Sequence, residues 1–464
     1  MPGMKRLHAP LAWVDGRWQR DVLLVVDSAG CWADIVAGQP APEGAEVLAG
    51  PLIPSLVNAH SHAFQRAFVG MAERRAAGED DFWGWRERMY ALALRISPEQ
   101  LRAVAAQLYG ELLRGGYTQV CEFHYLHHAA EGQVLEDELA MSWALAEAAQ
   151  DVGMGLTLLP VVYTRSGFGA VGLRPEQRRF RADADWAWQA CRRIREAGLP
   201  RVSAGVAVHS LRGAAPADLA RLRALVGDED LPLHIHVAEQ TAEVEACIAA
   251  KGRRPLQWLA DEAGLDARWQ LVHATHTTPA EVDAVARRGA GVVLCPTTEA
   301  NLGDGLCDLP GWLAAGVPLT VGSDSQVGRG WVEELRWLEY GQRLALRRRN
   351  VAAQPPQQPA TAARLFEAMV QGGARAAGFE RWGLVRGARA DALVLDRSTD
   401  ALRGLPDDAL LDGVVFGGHG SPWQSLWVAG RAHPWRAPRR VADAFEQAMQ
   451  QLWHGHRTGL AAGA

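Results

Sequence analysis

Residues 55–66 read SLVNAHSHAFQR, a short apolar run that ends in two histidines one position apart. On a β-strand, residues i and i+2 point to the same face, so His60 and His62 leave the strand side by side. Neutral imidazole is the commonest protein metal ligand, but two histidines complete no site. A catalytic zinc takes about three protein ligands and keeps an open position. The missing partners must come from other parts of the chain.

The pattern around this stretch says where to look. From about residue 50 to 323, short β-rich runs alternate with longer helical patterns, the signature of repeated βα units. The strand candidates are SLVNAH (55–60), TQVCEF (118–123), LTLLPVV (156–162), AGVAVH (204–209), LPLHIHV (231–237), QLVHA (270–274), GVVLC (291–295) and PLTVGSD (318–324). Helical stretches such as PEQLRAVAAQLYGELLRG (98–115) and TPAEVDAVARRG (278–289) open with Pro or Thr and close with Gly. These units predict an α/β chain with a (β/α)8 TIM-like barrel, whose chemistry is built at the C-terminal ends of its strands. The flanks read as short strands and turns, so residues 1–50 and 380–436 are expected to pair into one small β domain, a β-sandwich. The barrel then spans 51–379, and a helical tail occupies 437–464.

Composition narrows the function classes. A chain of 464 residues with 48% hydrophobic and 22% charged residues is ordinary for a folded globular protein. Its net charge of -5 gives no basic footprint for a nucleic-acid partner, so none is expected. No run approaches the roughly 18 apolar residues of a membrane span, and no signal peptide opens the chain, so a cytoplasmic protein without a membrane partner is expected. The six cysteines form no CxxC pair and read as reduced core thiols. Only Lys5 and Lys251 are lysines.

His60 and His62 close strand one, His236 lies in strand five, His273 in strand six, and Asp324 ends strand eight. Each has a plainer reading, a hydrogen-bonded core histidine or a helix-capping aspartate. Jointly, that reading needs several coincidences at one end of one barrel. Imidazoles and a carboxylate make a donor set suited to zinc, with iron or manganese also compatible. Such an ion brings the pKa of bound water to roughly 7, which points to hydrolysis. Glu239, three residues after His236 in HIHVAEQ, is placed to carry a proton to a leaving nitrogen. Its plainer reading is a first-turn glutamate favoured by the helix dipole.

His-x-His on strand one, His-x-x-Glu on strand five, His on strand six and Asp on strand eight resemble the amidohydrolase superfamily, and GLVRGARADALVLD (383–396) is similar to its C-terminal strand signature. The resemblance implies a distorted barrel with a β domain from both chain ends. Many binuclear members bridge two metals with a carboxylated lysine on strand four. This chain has His209 there and no lysine nearby, which matches the mononuclear deaminase branch. Within that branch, NAHSHAFQRAFVGMAER (58–74), DDFWGWRERMY (80–90) and LVHATHTT (271–278) resemble the formimidoylglutamate deiminase family.

That closer resemblance implies a small-molecule substrate with two carboxylates, one zinc ion per chain held by His60, His62, His236 and Asp324, and a homodimer. It implies that Asp324 takes the proton of water, that His273 hydrogen-bonds the attacking hydroxyl, and that Glu239 protonates the imino nitrogen. Arg86 and Arg212, expected on loops over the site, suit bidentate contacts to carboxylates, against the plainer reading of structural salt bridges. Gln65, Tyr125 and His209 are the further pocket residues that it implies. The rival readings are a guanine, adenosine-type or triazine deaminase on the same metal frame, and a metal-free relative that serves only as a binding or scaffold protein.

Overall fold

The computed structural model of the chain describes residues 4–73, 82–434 and 438–453. All eight expected barrel strands are present: β1 (Leu56–Ser61), β2 (Tyr117–His124), β3 (Gly155–Val162), β4 (Val206–Ser210), β5 (Leu233–Val237), β6 (Trp269–His273), β7 (Gly291–Leu294) and β8 (Leu319–Val321). They pair in chain order, each parallel to the next, and Val202–Ala204 adds a short strand beside β3. Helices between them bury one face against the strands. Ser97 caps the helix Pro98–Arg114 and Thr278 caps Pro279–Arg288, each in a capping box with the Gln or Glu three residues on.

Closure happens at the expected site. Ser61 bridges Asp324, the His62 N–H donates to the Asp324 carbonyl at 3.2 Å, and the Asp324 N–H donates to the His60 carbonyl at 3.0 Å. The backbones of three candidate ligands therefore join the first strand to the last. Strand eight is shorter than PLTVGSD implied. It ends at Val321, and Asp324 sits beyond it with φ 45°, outside the β region. Gly322 explains the tight approach, since a Cβ there would lie 2.6 Å from the His60 Cβ and 2.8 Å from its backbone N.

The two chain ends build one further hydrogen-bonded sheet with its own core, around Leu24, Trp32, Leu52, Val394 and Trp427. It is a single continuous sheet of mostly antiparallel strands. Lys5–Val14 and Arg17–Val26 form a hairpin across Asp15 and Gly16, both at positive φ, the geometry that an Asp-Gly turn supplies. The strand Leu52–Pro54 links this sheet directly to β1. The final helix Arg439–Trp453 lies on Pro98–Arg114, with the Trp453 indole N–H donating to the Ala67 carbonyl at 3.0 Å. All six cysteines are free thiols, and all but Cys31 are buried. Among the described residues, no helix is long and apolar enough to cross a membrane.

Candidate active site

The C-terminal ends of the barrel strands bring the expected residues together. One pocket is lined by His62, Gln65, Arg86, Tyr125, His209, Arg212, His236, Glu239, His273 and Asp324, with His60 directly beneath. The backbone is bent to aim them. His273 (φ 70°), Ala238 (φ 52°) and Asp324 (φ 45°) all occupy the left-handed region, a conformation that costs on the order of 1–3 kcal/mol each and persists where the surroundings impose it.

His60 and His62 each place Nε2 3.4 Å from Asp324 Oδ1, and His236 Nε2 lies 3.0 Å from His60 Nε2. His62 Nδ1 lies 2.9 Å from the Phe123 carbonyl, and His236 Nδ1 lies 2.9 Å from the His209 carbonyl. Carbonyl oxygens only accept, so both Nδ1 atoms carry the proton and both Nε2 atoms present lone pairs when the rings are neutral. Burial, opposed by Asp324, pushes His60 down to about 3, and burial with neighbouring imidazoles holds His236 well below its ordinary value. Burial alone would raise Asp324, but the hydrogen bond and charge of His60, with His273 and His62, hold it well below the usual carboxylate range. Lone pairs and an ionised carboxylate thus face one another in a buried space, an arrangement that a cation satisfies. The nitrogen and oxygen donors fit a zinc-like ion.

His60, His62 and Asp324 have candidate ligand atoms all within 4.8 Å of one another, as do His60, His236 and His273. A third group of His273, Cys295 and Glu299 is explained by hydrogen bonding, because Glu299 Oε1 accepts from the Cys295 N–H at 2.9 Å and lies 3.3 Å from His273 Nδ1. The other face of the His273 ring looks toward the pocket. Its Nε2 is 3.7 Å from Glu239 Oε1 and 3.8 Å from Asp324 Oδ2. Burial would lower His273, but Glu239, Glu299 and Asp324 raise it to about 10. Burial raises Glu239 to about 7, against the opposing charges of His273 and Arg212.

The two arginines differ from expectation in detail. Arg86 lies on the helix Phe82–Ala93, not on a loop, because residues 82–93 cover the pocket as a regular helix. Arg212 follows β4 as expected, but its guanidinium already faces carboxylates, with Nη2 3.9 Å from Glu239 Oε2 and Nε 3.8 Å from Glu243 Oε1. Gln65 donates to the Tyr125 hydroxyl at 3.1 Å, and His209 stacks on Tyr163 with centroids 4.0 Å apart. Residues 80 and 81 of the DDFWGWRERMY block lie outside the described residues.

Sequence reading missed Glu299, Tyr90 and Tyr163. Tyr163 directly follows LTLLPVV, and its place just past a strand's C-terminal end was a usable signal. Glu299 carried none, since it follows strand seven without a motif.

Comparison with known proteins agrees with this geometry. Residues 52–430 match the model of the amidohydrolase family. The chain is 44% identical over 458 residues to a formimidoylglutamate deiminase from Pseudomonas aeruginosa, covering 97% of this chain and 100% of that one. It is 27% identical to a 5-methylthioadenosine/S-adenosylhomocysteine deaminase from Natronomonas pharaonis, across 82% of this chain and 80% of that one. A crystal structure of an amidohydrolase from Brucella melitensis superposes with a TM-score of 0.91 at 41% identity, covering 97% of this chain and 99% of that one. With its barrel, its terminal β domain and its buried histidine and aspartate cluster, the chain belongs to the amidohydrolase family of metal-dependent hydrolases.

Proposed function

We propose that the protein hydrolyses N-formimino-L-glutamate to N-formyl-L-glutamate and ammonia, a step of histidine degradation. The observation that carries this reading is that Arg86 and Arg212 line the same pocket as His62, His236, Glu239, His273 and Asp324. A substrate with a hydrolysable amidine head and two carboxylates needs both kinds of group within one molecule's reach. A neutral purine or triazine carries no carboxylate for the guanidiniums to pair with. The 44% identity to a deiminase of this specificity supports the same choice over the adenosine-type deaminases, at 27%.

His60, His62, His236 and Asp324 would hold one zinc ion per chain, and the same donor set accepts iron or manganese. When bound, the ion acts as a Lewis acid that makes water nucleophilic near neutral pH. Asp324 takes the proton from that water as its oxygen bonds to the formimino carbon. His273 donates a hydrogen bond from Nε2 to the same oxygen and helps stabilise the charge that develops there. Glu239 delivers a proton to the terminal nitrogen, and the remaining proton of the attacking oxygen passes to the same nitrogen. The bond from carbon to that nitrogen breaks as the oxygen becomes the formyl carbonyl, ammonia leaves, and the proton held by Asp324 restores Glu239. Gln65, Tyr125 and His209 shape the pocket around the chain of the substrate. The reading includes a cytoplasmic homodimer, and sedimentation at micromolar concentration checks the dimer.

The test is ammonia release from formiminoglutamate, formiminoaspartate, guanine, adenosine and cytosine. Formiminoglutamate should react fastest, and a faster reaction with guanine would refute the substrate. Arg86→Met and Arg212→Met should each lower kcat/KM for formiminoglutamate by tens to about a thousandfold, with metal content unchanged. They should differ in kind. Arg86→Met should act mainly through KM, whereas Arg212→Met should also lower kcat, because the Arg212 charge faces Glu239.

A further inference from the structure

The pocket lining includes two tyrosines that the proposed chemistry does not use, Tyr90 and Tyr163. Both are tied to one buried amide. Gln177 Nε2 donates to the Tyr163 hydroxyl at 2.8 Å and to the Tyr90 hydroxyl at 3.1 Å. The orientation of that amide is not arbitrary, because Gln177 Oε1 accepts from the backbone N–H of Arg174 at 3.1 Å, and an N–H only donates. Oε1 is thereby committed, and both Nε2 hydrogens go to the phenol oxygens.

Proton accounting then gives the tyrosines a direction. Each phenol oxygen receives a hydrogen from Gln177, so each keeps its own O–H to donate. Among the described residues, no carbonyl or carboxylate accepts from either one. The two hydroxyls can satisfy at most one of these donors between themselves, and the other is left for whatever enters the pocket. The Tyr163 ring cannot turn away to find solvent, since it is stacked between His209, with centroids 4.0 Å apart at 24°, and Phe180, at 5.6 Å and 16°. Arg86 and Arg212 line the same pocket. A rigid hydroxyl donor that lines one pocket with two guanidiniums matches a carboxylate, which has lone pairs for all of them.

We propose that the Tyr163 hydroxyl, oriented by Gln177 and the ring stack, is a specificity-determining donor to one carboxylate of the substrate. This rests on the dicarboxylate reading above. Gln177 acts through the tyrosine and is a positioning residue.

The test uses the metal-loaded enzyme and Tyr163→Phe, which keeps the ring stack and removes only the hydroxyl. KM for formiminoglutamate should rise about ten- to a hundredfold, with a smaller change in kcat and unchanged metal content. The same variant is then compared on N-formimino-4-aminobutyrate, which lacks the α-carboxylate, and on N-formimino-2-aminobutyrate, which lacks the side-chain carboxylate. On one of these two, the one missing the carboxylate that Tyr163 binds, the effect of Tyr163→Phe should vanish. An equal loss on all three substrates, or no loss on any, overturns the proposal. Gln177→Met should raise KM in the wild-type background and add little in the Tyr163→Phe background, whereas a general packing defect would add fully. Calorimetric binding of glutarate separates this proposal from the substrate reading. If the wild type releases no ammonia from formiminoglutamate, that reading fails on its own. The hydroxyl proposal then stands if glutarate binds about tenfold or more weakly to Tyr163→Phe, and falls if wild type and variant bind it alike or neither binds.

Discussion

Asp324→Asn should lower ammonia release by about three orders of magnitude or more, because in the proposed mechanism the substitution removes a ligand and the acceptor of the water proton together. Folding should survive. Asp324 has φ 45°, and asparagine tolerates that region as well as any residue with a side chain, so the backbone bridge to Ser61 can persist. What changes is charge. With Asp324 ionised, His62 Nε2 and His60 Nε2 face a carboxylate oxygen at 3.4 Å, and a neutral amide in its place weakens the hold on a cation. Metal analysis should return about one ion per wild-type chain and less in the variant, with matching far-ultraviolet circular dichroism. Two ions per wild-type chain would sink the single-ion reading, as would full activity after all bound metal has been removed by a chelator.

Glu239→Gln should keep fold and metal and still lower kcat by about a hundredfold or more, since an amide carries no transferable proton. The pH profile supplies an independent check. Burial raises Glu239 to about 7, so the carboxyl is protonated below that pH and loses its proton as the pH rises through it. If it is the proton donor, wild-type kcat/KM falls on the alkaline side of about pH 7, and the glutamine variant loses that limb. His273→Asn should give a loss of similar size with metal retained. A Glu239→Gln variant with wild-type kcat removes Glu239 from the mechanism.

Much of this site was legible because its signals are local. His60 and His62 share a strand face by the period of two, Glu239 follows His236 within one strand end, and the Ser97 and Thr278 caps mark helix starts. Eight βα units then order these residues around one rim without any knowledge of contacts, because parallel neighbours joined by helices leave few other arrangements. Where the local rules were pushed too far, they erred at the edges. Strand eight stopped at Val321, where a glycine lets the chain pass against His60 and the next residues leave the β region. Arg86 proved helical, on a helix whose Phe82, Trp85 and Tyr90 line the pocket.

The strand order, the candidate ligand residues and the end of the barrel at which they meet could all be read along the chain, because they follow from short-range periodicity and chain connectivity. How those side chains are held came from contacts between distant segments of the folded chain. The proton positions on His62 and His236 are set by the carbonyls of Phe123 and His209, and a carbonyl has no residue-type signature to read. The charge environment of Glu239 comes from His273 and Arg212 at other strand ends, and the direction of the Tyr163 hydroxyl comes from a glutamine that also reaches Tyr90, 87 residues away in the chain. Such pairings depend on distances between distant segments to within tenths of an ångström, and hydrogen bonds weaken steeply outside that range, so no pattern along one chain can encode them visibly.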